Sequence, residues 1–251
     1  MISIISPAKS LDFESISPYE EVTKPHFQKD ADYLAGKLSK LRPTELSTLM
    51  GISPKLAQLN AERFASWKNA PSKQALFAYN GDVYDGLNAT TLTPDETAFA
   101  QKHLRILSGL YGLLNPLDVI KPYRIEMGTH FSTPKAENLY KYWGDRITDQ
   151  LKKDLKYTGS NILINLASQE YFAAVNSKKL KARIITPVFK DKNNGSYAII
   201  SFFAKKARGM MCRFIISNSI TDHEMLVGFD EGGYHFNHGL SSGDKWVFTR
   251  G

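Results

Sequence analysis

MISIISPAKSLDF, residues 1–13, sets the question on which the fold turns. The apolar run Ile2–Ile5, closed by the turn at Ser6-Pro7, reads as a buried strand. If such strands recurred in a regular βαβ rhythm, the chain would be a Rossmann-like α/β protein. They do not recur in that way. Strands and helices mix irregularly, and the expectation is an α+β protein with a mixed sheet flanked by helices.

Working outward, His26–Leu41 places Phe27, Ala31, Leu34, Ala35 and Leu38 at helical spacing. Pro43 and Pro54 each suit the first position of a helix, in PTELSTLM and PKLAQLNAERFASW. Ala75–Tyr79 fits a strand, followed by a turn-rich loop, NGDVYDGL. Thr93-Pro94-Asp95-Glu96 carries a helix cap, an N1 proline and a capping-box glutamate. RILSGLYGLL reads as a strand entering a glycine-broken turn, and the proline-bearing NPLDVIKPYRIEMG as irregular chain that lines a site or cements two layers. Beyond it come a long helix over Asn138–Leu155, a buried strand at Asn161–Asn165 and a helix over Ser168–Val175. Arg183–Lys190 and Ser196–Phe203 alternate like paired strands around Asp-Lys-Asn-Asn-Gly, a basic helix starts near Ala204, and YHFNHGLSSGDKWVFTR forms a closing hairpin.

No repeat, low-complexity tract or linker interrupts the 251 residues, which favours a single domain over 1–251. The one cysteine, Cys212, excludes an internal disulfide and suits a reducing compartment. The opening apolar run lacks a basic flank and is too short for a signal peptide or a membrane span, so a cytoplasmic monomer with no membrane partner is expected. The net charge is +7, and Lys178–Arg213 holds ten basic residues against Asp191 alone, or +9. The remainder is therefore about -2 (7 minus 9), so the excess is local. Such a zone suits a polyanion, or else keeps a hairpin and a helix face soluble.

LSTLMGISPKLAQLN, residues 46–60, is the first candidate site. Gly51 supplies a positive φ, Ile52 tucks inward, Ser53 caps the next helix and Pro54 opens it. The outward N–H groups and Lys55 then suit a phosphate oxygen. The stretch resembles the helix-hairpin-helix motif of DNA-binding proteins, over about residues 43–68. Gly51, Ile52, Lys55 and Ala57 match that pattern, while Ser53 stands where a second glycine is usual. A corner between two core helices is the plainer reading.

PAKSLDF puts Lys9, Ser10 and Asp12 at a strand's C-terminal end, where α/β proteins place ligand loops, but it lacks the glycines of a P-loop. Arg124 in KPYRIEMGT either clamps a phosphate or pairs with Glu126. His223, His235 and His238 have no established metal spacing, so neither metal nor cofactor is expected. Cys212 follows Met210 and Met211 in an apolar helix and should be buried. No hydrolase triad is recognisable around Ser6, Ser10 or Ser168.

ISPAKSLDF, LSGLYGLLNPLDVIKPYRIEMGT, NLASQEYF and FFAKKARGMM, in this order and spacing, resemble the bacterial peroxide stress resistance protein YaaA family over essentially the whole chain. The resemblance implies a cytoplasmic protein that limits oxidative damage, tied to control of intracellular iron, with a positively charged cleft and a DNA-binding helix-hairpin-helix element. It assigns no catalytic residue. Joined to the residue reading, it suggests that Gly51, Ile52, Ser53 and Lys55 share one cleft with Lys9, Arg124, Lys205, Lys206 and Arg208. That cleft would hold duplex or distorted DNA by its backbone. The competing class is an enzyme acting on a nucleotide or other phosphorylated small molecule, with Lys9, Asp12, Arg124 and Glu126 converging in a pocket.

Overall fold

Ile2–Ile5 (β1) is buried along its whole length and lies inside an eight-stranded sheet in the computed structural model, which describes residues 1–193 and 195–251. The other strands are Leu104–Ser108 (β2), Gly112–Leu114 (β3), Ile162–Asn165 (β4), Arg183–Asn193 (β5), Ser196–Ala198 (β6), His235–Phe236 (β7) and Lys245–Arg250 (β8). They run in the order β7-β8-β5-β4-β1-β2-β3, with β6 folded onto β5. The stretch from β8 to β2 is parallel, and the pairs β2–β3, β7–β8 and β5–β6 are antiparallel. The sheet is therefore mixed and helices flank it, as an α+β fold requires. Burial of both faces explains why β1 is an apolar run without alternation.

A parallel pair needs a long crossover, and β1 waits until Leu104 for its first partner: Ser3 stands opposite both Leu104 and Ile164. The intervening chain supplies the helices Gln28–Leu38, Pro43–Met50, Pro54–Ala65, Asp82–Leu87 and Pro94–His103. Phe27, Ala31, Leu34, Ala35 and Leu38 are all buried, as their spacing predicts. Thr93 accepts from the Glu96 N–H, and Glu96 returns the bond to the Thr93 N–H at 2.7 Å, which completes the capping box. A buried ion pair ties β2 to the helix Arg146–Tyr157, Arg105 Nε donating to Asp154 Oδ2 at 2.7 Å.

Several local expectations need correction. Gly144, at φ 49°, breaks the long helix after Trp143, so Leu139–Trp143 and Arg146–Tyr157 are separate. Ala75–Ala78 is a helical turn between two-residue strands, and the supposed loop NGDVYDGL holds the helix Asp82–Leu87. The expected helix over Ser168–Val175 is confined to Gln169–Phe172. The β5–β6 pairing is short: only Ser196–Ala198 pairs, and the helix starts at Ser201 because β5's main partners are β4 and β8. Within the expected hairpin loop, Asn194 lies outside the described residues. The closing hairpin does form between β7 and β8, yet β8 also runs parallel to β5 from Lys245 to Arg250.

Candidate functional site

The nine expected contact residues fall into three local settings. At the corner, Gly51 takes φ 60° and ψ 43° as the C-cap of Pro43–Met50. The turn closes on its inner side: Ile52 N–H donates to the Ser47 carbonyl at 3.1 Å, and the Ser47 hydroxyl donates to the Ile52 carbonyl at 2.6 Å. Ile52 is buried, as are Leu46, Ala57 and Phe64. On the outer side Ser53 Oγ accepts from Leu56 N–H at 3.4 Å, and Pro54 stands at the first helical position. Gly51, Ser53, Pro54 and Lys55 are exposed. Among the described residues, the Ser53 and Lys55 N–H groups have no hydrogen-bond partner and Lys55 has no ion-pair partner. All four local roles assigned from sequence are met.

The basic helix Ser201–Ser217 carries Lys205, Lys206 and Arg208. Lys205 pairs with Asp82 at 3.5 Å, Lys206 is exposed, and Arg208 is half-buried, its guanidinium pKa lowered by that burial. This helix crosses Asp82–Leu87 backbone to backbone. A Cβ on Gly86 would lie 2.1 Å from the Lys206 carbonyl oxygen, and one on Gly209 1.9 Å from that of Val83. Glycine at both points is what lets the helices touch.

Lys9 and Arg124 form the third setting. They meet at one carboxylate: Lys9 Nζ lies 3.7 Å and Arg124 Nε 3.4 Å from Glu126 Oε1. Lys9 leaves the end of β1, while the Arg124–Glu126 segment is pressed against the end of β2, where a Cβ on Gly109 would come within 2.8 Å of the Ile125 carbonyl oxygen. The same segment is held further along, with Lys121 Nζ donating to the Trp67 and Lys68 carbonyls and Gly128 N–H to Glu170 Oε1 at 2.9 Å. Under it runs a chain of hydroxyls, Tyr79 to Tyr123 and Tyr123 to Ser108, each link 2.6 Å. Burial pushes the Tyr123 phenol up to about 12 and those of Tyr79, Tyr84 and Tyr171 well above the usual range, so all stay protonated.

Asp12 does not join this group, contrary to the four-residue pocket expected from sequence. It pairs with Lys73 at 3.5 Å and accepts from the Ser15 hydroxyl and the Ser15 and Glu14 N–H groups. Those bonds hold its carboxyl well below the usual range. The two-residue pairing of Ser10–Leu11 with Tyr79–Asn80 draws its segment away from Glu126. The tyrosines were missed from sequence: they come from three separate segments, around 79–84, 123 and 171, and have no motif of their own.

His223 faces Glu224, Asp222 and Arg183, whereas His235 lies on β7 and His238 in the turn after it. Cys212 is buried, and burial pushes its thiol up to about 12, far from a reactive thiolate. No helix among the described residues is long and apolar enough to cross a membrane.

Residues 1–240 match the family described as Peroxide stress protein YaaA. Over its full length the chain is 51% identical to a UPF0246 protein of Neisseria meningitidis serogroup A, covering 98% of that relative. It is 52% identical to UPF0246 proteins of Teredinibacter turnerae and Idiomarina loihiensis, covering 99% and 98% of them.

Proposed function

The chain belongs to the peroxide stress protein YaaA family, and from that premise we propose that it protects against peroxide by holding DNA through the phosphate backbone, as a cytoplasmic monomer linked to limiting intracellular iron. The observation that carries the DNA reading is the outer side of the Gly51 corner. Two N–H groups without partners, the positive end of the helix Pro54–Ala65 and an exposed, uncommitted Lys55 converge where a phosphate oxygen would sit. In this reading the corner acts as a helix-hairpin-helix element. Ser53 there stands where a second glycine is usual and caps the helix through its side chain.

A positively charged cleft joining Gly51, Ile52, Ser53 and Lys55 with Lys9, Arg124, Lys205, Lys206 and Arg208 belongs to the same proposal. Of the five cations outside the corner, Lys206 is exposed with no ion-pair partner among the described residues, while Lys9, Arg124 and Lys205 must exchange a carboxylate for phosphate. Such exchange favours weak, salt-sensitive contacts without base reading.

The test is a binding titration with duplex, single-stranded and gapped DNA at two salt concentrations, for the wild type and Lys55→Glu. Binding that weakens steeply with salt, and a salt slope lowered by about 1 in the variant, support the corner. Equal slopes for the two proteins remove Lys55 from the footprint. Iron is tested separately, by chelatable iron in peroxide-treated cells with and without the protein; equal levels would end that link.

A further inference from the structure

Residues 197–203, where β6 runs into the helix Ser201–Ser217, form the densest stretch of exposed apolar side chains among the described residues. Ile199 is 58% and Phe202 54% exposed, and Tyr197 and Phe203 are exposed as well. Scattered apolar residues are ordinary on a surface, whereas a cluster marks a place where something docks. An open strand edge lies beside it. β6 pairs with β5 and with no other described strand, so its outer backbone groups meet no ladder.

The charges around this edge are almost all positive. Lys192, opposite Tyr197 in the β5–β6 ladder, and Lys206 are exposed without ion-pair partners among the described residues, and Lys205 meets Asp82 at 3.5 Å. The acid within the hairpin, Asp191, is buried and held by Arg250 and Tyr234. Adjacent strand residues point to opposite faces. Asp191 shares its face with Arg250, whose guanidinium lies 4.6 Å from the centre of the Phe203 ring, so Lys192 and Tyr197 mark the other face. The edge therefore presents a lysine on one side and an aromatic ring on the other.

We infer that this edge receives an acidic, extended segment of a partner protein, one that adds a strand to β6 and alternates apolar side chains with carboxylates. Backbone pairing would supply affinity, and the alternation would set apolar groups against Phe203 and carboxylates against Lys192. Other occupants fit less well. Lipid would leave the edge N–H and C=O groups unpaired in an apolar medium. A second copy of this chain would bring the same lysines together. An unpaired nucleic-acid strand would stack on rings, but Phe202 and Phe203 stand at 63° to each other, and Ile199, the most exposed member, has no ring face. Lys205 and Lys206 also belong to the proposed DNA footprint, so a segment seated here would compete with DNA for them. The docking itself stands apart from the DNA reading.

Fluorescence anisotropy of a labelled octapeptide, Asp-Phe-Asp-Leu-Asp-Phe-Asp-Leu, titrated with the full chain in the absence of DNA, tests it. Counterparts with lysine for every aspartate, or serine for every phenylalanine and leucine, should bind at least about tenfold more weakly. N-methylation of one of the two alternate sets of peptide residues should do the same, because only one set turns its N–H groups to the β6 edge. Ile199→Ser combined with Phe202→Ser, at exposed positions that leave the melting temperature unchanged, should weaken binding by about tenfold, and Lys192→Gln severalfold with a smaller salt dependence. No binding to the wild type, equal binding of the lysine counterpart, indifference to both N-methylated peptides, or unchanged binding by the double serine variant would overturn the assignment. So would oligothymidylate or phosphatidylglycerol vesicles that bind the wild type and lose that binding in the same double variant.

Discussion

At the Gly51 corner, every group proposed to meet a phosphate lies between Gly51 and Lys55, and a bond from Ser47 closes the turn on itself. At the cleft beside β1, Lys9, Arg124 and Tyr171 arrive from separate segments, and Gly109, just past the end of β2, packs against the backbone of Ile125 and Glu126. The corner is exposed and short of hydrogen-bond acceptors for its outward N–H groups. The cleft is narrow, and its cations already face a carboxylate. The difference separates two kinds of polar setting: one made by local geometry and open to solvent, the other made by tertiary packing and largely closed to it.

Removing the support under β2 breaks this contrast most severely. Asp154→Ala leaves the Arg105 guanidinium buried without its charge partner and should cost about 3–5 kcal/mol in chemical unfolding. A loss below about 1 kcal/mol would mean that the pair does not anchor the strand. Gly109→Ala is a narrower cut. Its methyl group would press on the Ile125 carbonyl, costing about 1–3 kcal/mol, while DNA binding at the corner should persist. Loss of DNA binding as well would show that the two regions are not separable.

Smaller effects sharpen the corner itself. Ser53→Ala removes a long cap bond of 3.4 Å and should destabilise by about 0.5–1 kcal/mol in urea titration, at the low end for an N-cap. Neutralising Lys205 and Lys206 together to Gln should lower the DNA salt slope by about 1–2 with little change in stability, since Lys205 is itself exposed and its one ion pair, to Asp82, is partly open to solvent. An unchanged slope would take this helix out of the footprint and leave the corner to act alone.

The same contrast explains what was legible in the sequence. Gly51, Ser53, Pro54, Thr93 and Glu96 act through neighbours within a few residues, and each does what its chemistry predicts. β1 was legible because burial on both faces leaves a run of isoleucines interrupted only by the small Ser3. The helix Asp82–Leu87 was not, because two aspartates and a glycine weaken its pattern; it forms because Gly86 fits against the backbone of Ser201–Ser217. Asp12 was misassigned for a similar reason: its partner, Lys73, lies 61 residues away (73 minus 12). The tyrosine hydroxyl chain beneath Arg124 is wholly tertiary, and no spacing in the chain announces it.

The parallel pairing of β1 has a consequence for synthesis. Ile2–Ile5 emerges from the ribosome long before Leu104, the first residue able to pair with it, and at about 5–20 residues per second the delay is roughly 5–20 s. Throughout that time the most apolar strand of the sheet has neither flanking partner and must be sheltered by the early helices or by a chaperone. Nascent chains arrested before residue 104 should therefore be the aggregation-prone species, and those carried past β4 should not.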